Sequence, residues 1–226
     1  MAQAPARNTI PSVRHRLAHR HCPLEGALQV TDRRVAATLM RNESDNREFI
    51  HRIDLEDRIC FVNDAWMTFA DENNWSASAA RVLGTPLMSH ITDPETRHIY
   101  RLLIDRTRNT GRRSRFCYRC DSPDLRRFME MRISRLPRGQ VEFRSRALRL
   151  ERREPVPVLD PALRQRSRDV LEMCGWCKDV RVQALWLELE EAVQRLGILA
   201  EAALPQISHG ICPTCSERLK DAGGAA

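Results

Sequence analysis

Lysine is almost missing from this chain. Of its 37 basic residues only Lys178 and Lys220 are lysines, which leaves 35 arginines. So strong a skew points to a GC-rich genome before it points to selection for phosphate binding. Aromatic residues are scarce as well, at 5%, which leaves few stacking platforms for single-stranded nucleic acid. No run of 18 apolar residues occurs, which excludes a transmembrane helix, and the N-terminal stretch lacks the apolar segment of a secretory signal. Phosphate-cradling glycine loops, Gly-x-Ser-x-Gly and His-Glu-x-x-His are absent too. With no room for a kinase or cyclase domain after residue 150, a non-enzymatic protein is expected. Eight cysteines without an export signal imply a cytoplasmic, reducing setting, in which paired thiols serve metal or redox chemistry rather than disulfides.

The net charge of +7 is unevenly distributed along the 226 residues. Residues 1–41 carry +5, 42–100 carry −6, 101–153 carry +11 and 154–226 carry −3. Residues 1–45 show neither helical nor strand periodicity and are expected to form a disordered basic tail. An organelle-targeting peptide, or a true start at Met40, are the alternatives for that stretch.

Regular patterning begins near residue 48. Phe49 to Ile53 and Arg58 to Val62 read as strands joined by an acidic turn, followed by a helix capped by Asn63 or Asp64 with Trp66, Phe69 and Ala70 on one face. Thr92-Asp93-Pro94-Glu95 opens a second helix that is expected to bury Ile99, Leu102 and Leu103 before Gly111 ends it. Three alternating segments follow, Arg113 to Cys120, Leu125 to Ile133 and Gln140 to Leu148, with polar turns between them. Cys60 is expected in the core. Alternation places Phe116 and Tyr118 inward, and Arg113, Arg115, Arg119, Arg132, Arg144 and Arg146 on an outer face with Glu130 and Glu142 among them. Such a basic surface could meet nucleic acid, but cross-strand Arg–Glu pairing without exposed aromatics is the favoured reading. Glu154-Pro155-Val156-Pro157 reads as a linker, and Asp160 to Met173 as a connecting helix.

This order over residues 46–152, with Asp57-Arg58-Ile59-Cys60-Phe61-Val62-Asn63-Asp64-Ala65-Trp66 at the strand-to-helix entry and Val82-Leu83-Gly84 after it, resembles a PAS domain. The resemblance implies an α+β fold with a five-stranded antiparallel sheet and helices on one face. It also implies a sensing role, with a ligand that the sequence does not identify.

Beyond the linker and helix at 153–173, residues 174–226 carry two Cys-x-x-Cys pairs, Cys174/Cys177 and Cys212/Cys215. Their spacing lets four thiolates reach one zinc ion in a closed, structural site. His209 lies close enough in sequence to support a ligand from behind. The 34-residue insert is expected to hold a strand over 182–187 and a helix over 190–196 ended by Gly197. Cys174-Gly175-Trp176-Cys177-Lys178 and Ser208-His209-Gly210-Ile211-Cys212-Pro213-Thr214-Cys215 resemble a short module that follows PAS domains in bacterial signalling proteins. A small C-terminal zinc-binding α/β module is therefore expected, held together by the metal, with the sheet at 48–150 drawing nothing from it for its core. Together the two resemblances imply a bacterial sensor or regulator, with another signalling protein or a second copy of itself as the expected partner and no membrane partner. The alternatives are a zinc-dependent nucleic-acid-binding regulator and a thiol redox switch that releases zinc on oxidation.

Overall fold

The computed structural model describes residues 47–72, 79–160, 162–163, 165–200 and 203–222. The basic tail at 1–45 lies outside them. The chain first builds a hairpin, β1 (Glu48–Ile53) and β2 (Ile59–Val62). Its acidic turn is closed by Asp54, whose Oδ1 accepts the backbone N–H groups of Glu56 at 3.0 Å and Arg58 at 2.8 Å. Helices α1 (Asp64–Glu72), α2 (Ala79–Val82) and α3 (Pro94–Thr110) come next, then β3 (Ser114–Arg119), β4 (Leu125–Arg135) and β5 (Val141–Arg152). The five strands form one sheet in the order β2-β1-β5-β4-β3, antiparallel throughout. This is the PAS-like α+β unit that the sequence implies.

Local chemistry fixes the element ends. Asn63 is the cap of α1: its Oδ1 accepts from Trp66 N at 3.0 Å, and the same side chain is bonded to Ile50 N and Glu48 O on β1. One residue thus starts a helix and pins it to the sheet. At α3 the cap is Asp93, accepting from Thr96 N at 2.6 Å, with Pro94 in the first turn and Gly111 left-handed at the end (φ 68°). Leu102, expected to be buried, is instead exposed, because the inward stripe runs through Ile99, Leu103, Ile104 and Thr107. Cys60 is also exposed, because its neighbour Ile59 takes the inward position on β2.

The second half corrects the expected connecting helix. Residues 166–174 form a strand, β6 (Arg166–Cys174), preceded by a short 3-10 turn at Pro157–Leu159. The period is two: Val170 is 64% exposed, whereas Leu171 and Met173 are buried at 4% and 1%. β7 (Val180–Val182) and β8 (Leu185–Leu187) then make a small hairpin where one strand was expected. Helix α4 (Leu189–Arg195), strand β9 (Leu204–Gly210) and helix α5 (Pro213–Ala222) complete the chain. This sheet has the order β8-β7-β6-β9, with β6 and β9 parallel. Its core gathers Val156, Val158, Leu171, Met173, Val180, Leu187, Leu189, Ala192, Val193 and Ile198. No helix among the described residues is long and apolar enough to cross a membrane.

Candidate metal centre

The site is assembled by the parallel pairing of β6 with β9. Their register sets Cys174, at the end of β6, opposite Gly210, at the end of β9. Gly175 N donates to Gly210 O at 2.9 Å, so the two turns leaving these strands start side by side. The first turn, Cys174 to Asp179, closes through Lys178 N to Cys174 O (3.0 Å) and Cys174 N to Asp179 O (2.7 Å). Its left-handed residue is Lys178 (φ 67°), so Gly175 does not supply the special backbone angle. The second turn runs into α5, placing Cys212 just before the helix and Cys215 in its first turn.

The four sulfurs of Cys174, Cys177, Cys212 and Cys215 lie within 4.8 Å of one another. Cys174, Cys212 and Cys215 are buried and Cys177 is partly so. Cys177 Sγ and Cys212 Sγ are 3.7 Å apart. Sulfurs about 2.3 Å from a tetrahedral zinc are separated by about 3.8 Å, so the spacing fits such an ion. Two backbone groups already point at sulfur, Cys212 N at Cys174 Sγ and Cys215 N at Cys212 Sγ, both at 3.4 Å. Hydrogen bonds from Cys177, Cys212 and Cys215 hold the Cys174 thiol well below its ordinary pKa, while Cys177 is driven up beside it. Four such groups cannot all ionise at this distance without a cation between them. The arrangement suits a metal ion.

The other candidates fall elsewhere. His209 is exposed and lies outside the sulfur cluster. Cys120 is free, but burial raises its pKa. Cys117 is half-buried in β3, away from the sulfur cluster. On the outer sheet face, Arg115, Arg132 and Arg146 all converge on Glu130, whose side chain is fully buried. Burial pushes Glu130 up, but the bonds from Arg115 and Arg146 outweigh it and hold the carboxyl below the usual range. Arg144 pairs with Glu142 at 2.9 Å and Glu48 at 2.5 Å, and Arg52 joins Glu142 at 2.8 Å. Two of the six expected surface arginines leave this group. Arg113 precedes β3, and Arg119 is buried at the sheet edge, where it pairs with Asp121 and with Glu188 from the second unit.

Sequence reasoning missed how the two units join. The Cys module shares its core with the first sheet: Cys174, Trp176, Cys212, Cys215 and Leu219 pack in one cluster with Ile99, Phe116, Met131 and Phe143. Trp176, between the first two cysteines, is 5% exposed, 5.7 Å from the Tyr100 ring and 5.3 Å edge-on from Phe116. Its carbonyl accepts from Arg119 N at 2.6 Å, covering the free edge of β3. Beside that contact the fully buried side chain of Asp121 meets Arg119 and Arg153, and Glu190 of α4 receives Arg153 and Arg126 at 2.8 Å each. The only signal in the sequence was a tryptophan within a Cys-x-x-Cys turn.

No family model and no curated protein matches the chain. Among solved structures, a sensory box sensor histidine kinase from Vibrio cholerae is similar at 11% identity and a TM-score of 0.35, over 46% of this chain and 83% of that one.

Proposed function

We propose that the chain is a non-enzymatic sensor or regulator of the bacterial signalling type. Its PAS-like unit receives a signal, and its C-terminal unit, built around one structural zinc, presents a surface to a partner. The observation that carries the reading is the cluster of four sulfurs within 4.8 Å. Four protein ligands leave no open position for substrate or water, which favours a structural over a catalytic ion. The zinc would be held by Cys174, Cys177, Cys212 and Cys215, and would supply cross-linking of β6 to α5. The partner is a second copy of this chain or another signalling protein, and the setting is the cytoplasm. The outer arginines argue against nucleic acid as the main partner, since Glu48, Glu130 and Glu142 already engage Arg52, Arg115, Arg132, Arg144 and Arg146. Native mass spectrometry of the purified chain tests the whole reading. One zinc per chain with a defined dimer or heterocomplex is expected; a metal-free chain with no partner would sink it.

A further inference from the structure

We propose that the metal is the latch that seats Trp176 against the PAS-like sheet, and that Trp176 is the residue through which the two units communicate. The inference rests on the metal reading above. Trp176 lies in the same tight turn as Cys174 and Cys177, so an ion gripping both sulfurs fixes the indole between them. The indole then enters a slot formed by Tyr100 from α3 and Phe116 from β3, with Phe143 of β5 at 6.0 Å from Tyr100. These rings lie on the inner face of the sheet, beside the stacked pair His51–Phe143 at 4.6 Å.

The seat depends on that grip. Trp176 Nε1 is buried with no hydrogen-bond partner among the described residues, so the indole itself is held by no directional bond and its burial carries a desolvation penalty, while the Trp176 carbonyl takes the backbone N–H of Arg119. Remove the ion, and the bonds that tie Cys174 and Cys177 to Cys212 and Cys215 are gone, so the turn that carries Trp176 is no longer cross-linked to the start of α5. The second unit does not leave with it. The ionic contacts from Arg119, Arg126 and Arg153 to Glu188 and Glu190 use no cysteine and anchor it independently. Metal loss therefore swings the turn out and opens an aromatic-lined slot on the sheet. By reciprocity, whatever occupies that slot in place of the indole loosens the metal by the same factor.

Fluorescence of the full-length chain with Trp66, Trp75 and Trp186 replaced by phenylalanine isolates Trp176. In the zinc-loaded protein its emission should be blue-shifted and poorly quenched by acrylamide. On stripping with a chelator, followed by a zinc-sensitive dye, the emission should move red by roughly 10–20 nm and quenching should rise several-fold. Re-adding zinc should reverse both. Circular dichroism should retain the β-sheet signal throughout. Loss of zinc without a change in Trp176 emission overturns the latch. So does loss of the sheet signal in step with zinc, since the metal would then hold the whole fold. A chain that never binds zinc defeats the metal reading and the latch together, and elemental analysis of the starting protein identifies that case. Should the triple variant fail to fold, fluorine NMR of the unsubstituted chain grown with 5-fluorotryptophan gives the same readout, the Trp176 signal being assigned by Trp176→Phe.

Discussion

Glu130 offers a sharp test of the outer face. Its side chain is fully buried, while Arg115, Arg132 and Arg146, which all reach it, are 50%, 45% and 35% exposed. Replacing Glu130 by glutamine keeps the shape and removes the only negative charge at the centre of three guanidinium groups. Breaking a fully buried pair costs about 3–5 kcal/mol. Here solvent reaches the arginines and screens them, so the cost should be roughly 2–3 kcal/mol. Removing one arginine, as in Arg115→Met, leaves two partners and should cost under about 1 kcal/mol. Urea unfolding of the full chain at pH 7 measures both. The sign with pH follows from the lowered carboxyl: it stabilises the fold above the ordinary glutamate pKa of 4.5, and that stability is lost as pH falls through the depressed folded value. The gap between the native chain and Glu130→Gln should therefore close in acid. A pH-independent gap, or a cost for Glu130→Gln no larger than for Arg115→Met, would refute the three-arginine account.

Three further outcomes are expected. Trp66 is only partly buried against the core, so Trp66→Ala should cost about 1–3 kcal/mol in the same assay, below the range for a fully enclosed aromatic; a cost under about 0.5 kcal/mol means that it does not pack there. Cys174→Ser or Cys215→Ser should take zinc from one per chain toward none and also lower the thermal midpoint of the first sheet, because both residues share its core; elemental analysis and melting of each variant decide it. Burial lowers the pKa of His51 to about 4, so the native fold keeps it neutral and loses stability as pH drops from about 6.5 toward 4. His51→Phe should flatten that part of the stability curve, and an unchanged slope between pH 5 and 7 would show that His51 titrates freely.

Much of the architecture was legible because it is local. Alternating Phe116, Tyr118, Met129 and Met131 announce half-buried strands, Asp93-Pro94 announces α3, and paired cysteines announce the cluster of four sulfurs. The misreadings share a cause, namely partners distant in sequence. Leu163, Val170 and Leu171 imitate a helical stripe, yet β6 is extended because β9, more than thirty residues on, offers it a parallel ladder. Cys60 looks like core filler until Ile59 is seen to hold the inward position. The burial of Arg119 needs Glu188, and the role of Trp176 needs Tyr100, neither of which a short window can supply.

The parallel pairing of β6 with β9 also governs the order in which the protein can be made. The first sheet is complete once residue 152 has left the ribosome, but β6, β9 and α5 still remain to be synthesised. Until they arrive, β3 is an uncovered edge and the Tyr100–Phe116 surface faces water, the kind of strand and patch on which nascent chains associate wrongly. The closing contact, Cys174 against Gly210, must wait for the 35 residues between them to close into a loop, and capture of an ion by the four sulfurs would wait for Cys215. Folding should therefore show a fast phase for the antiparallel sheet and a slow, zinc-dependent phase in which the C-terminal unit seals it.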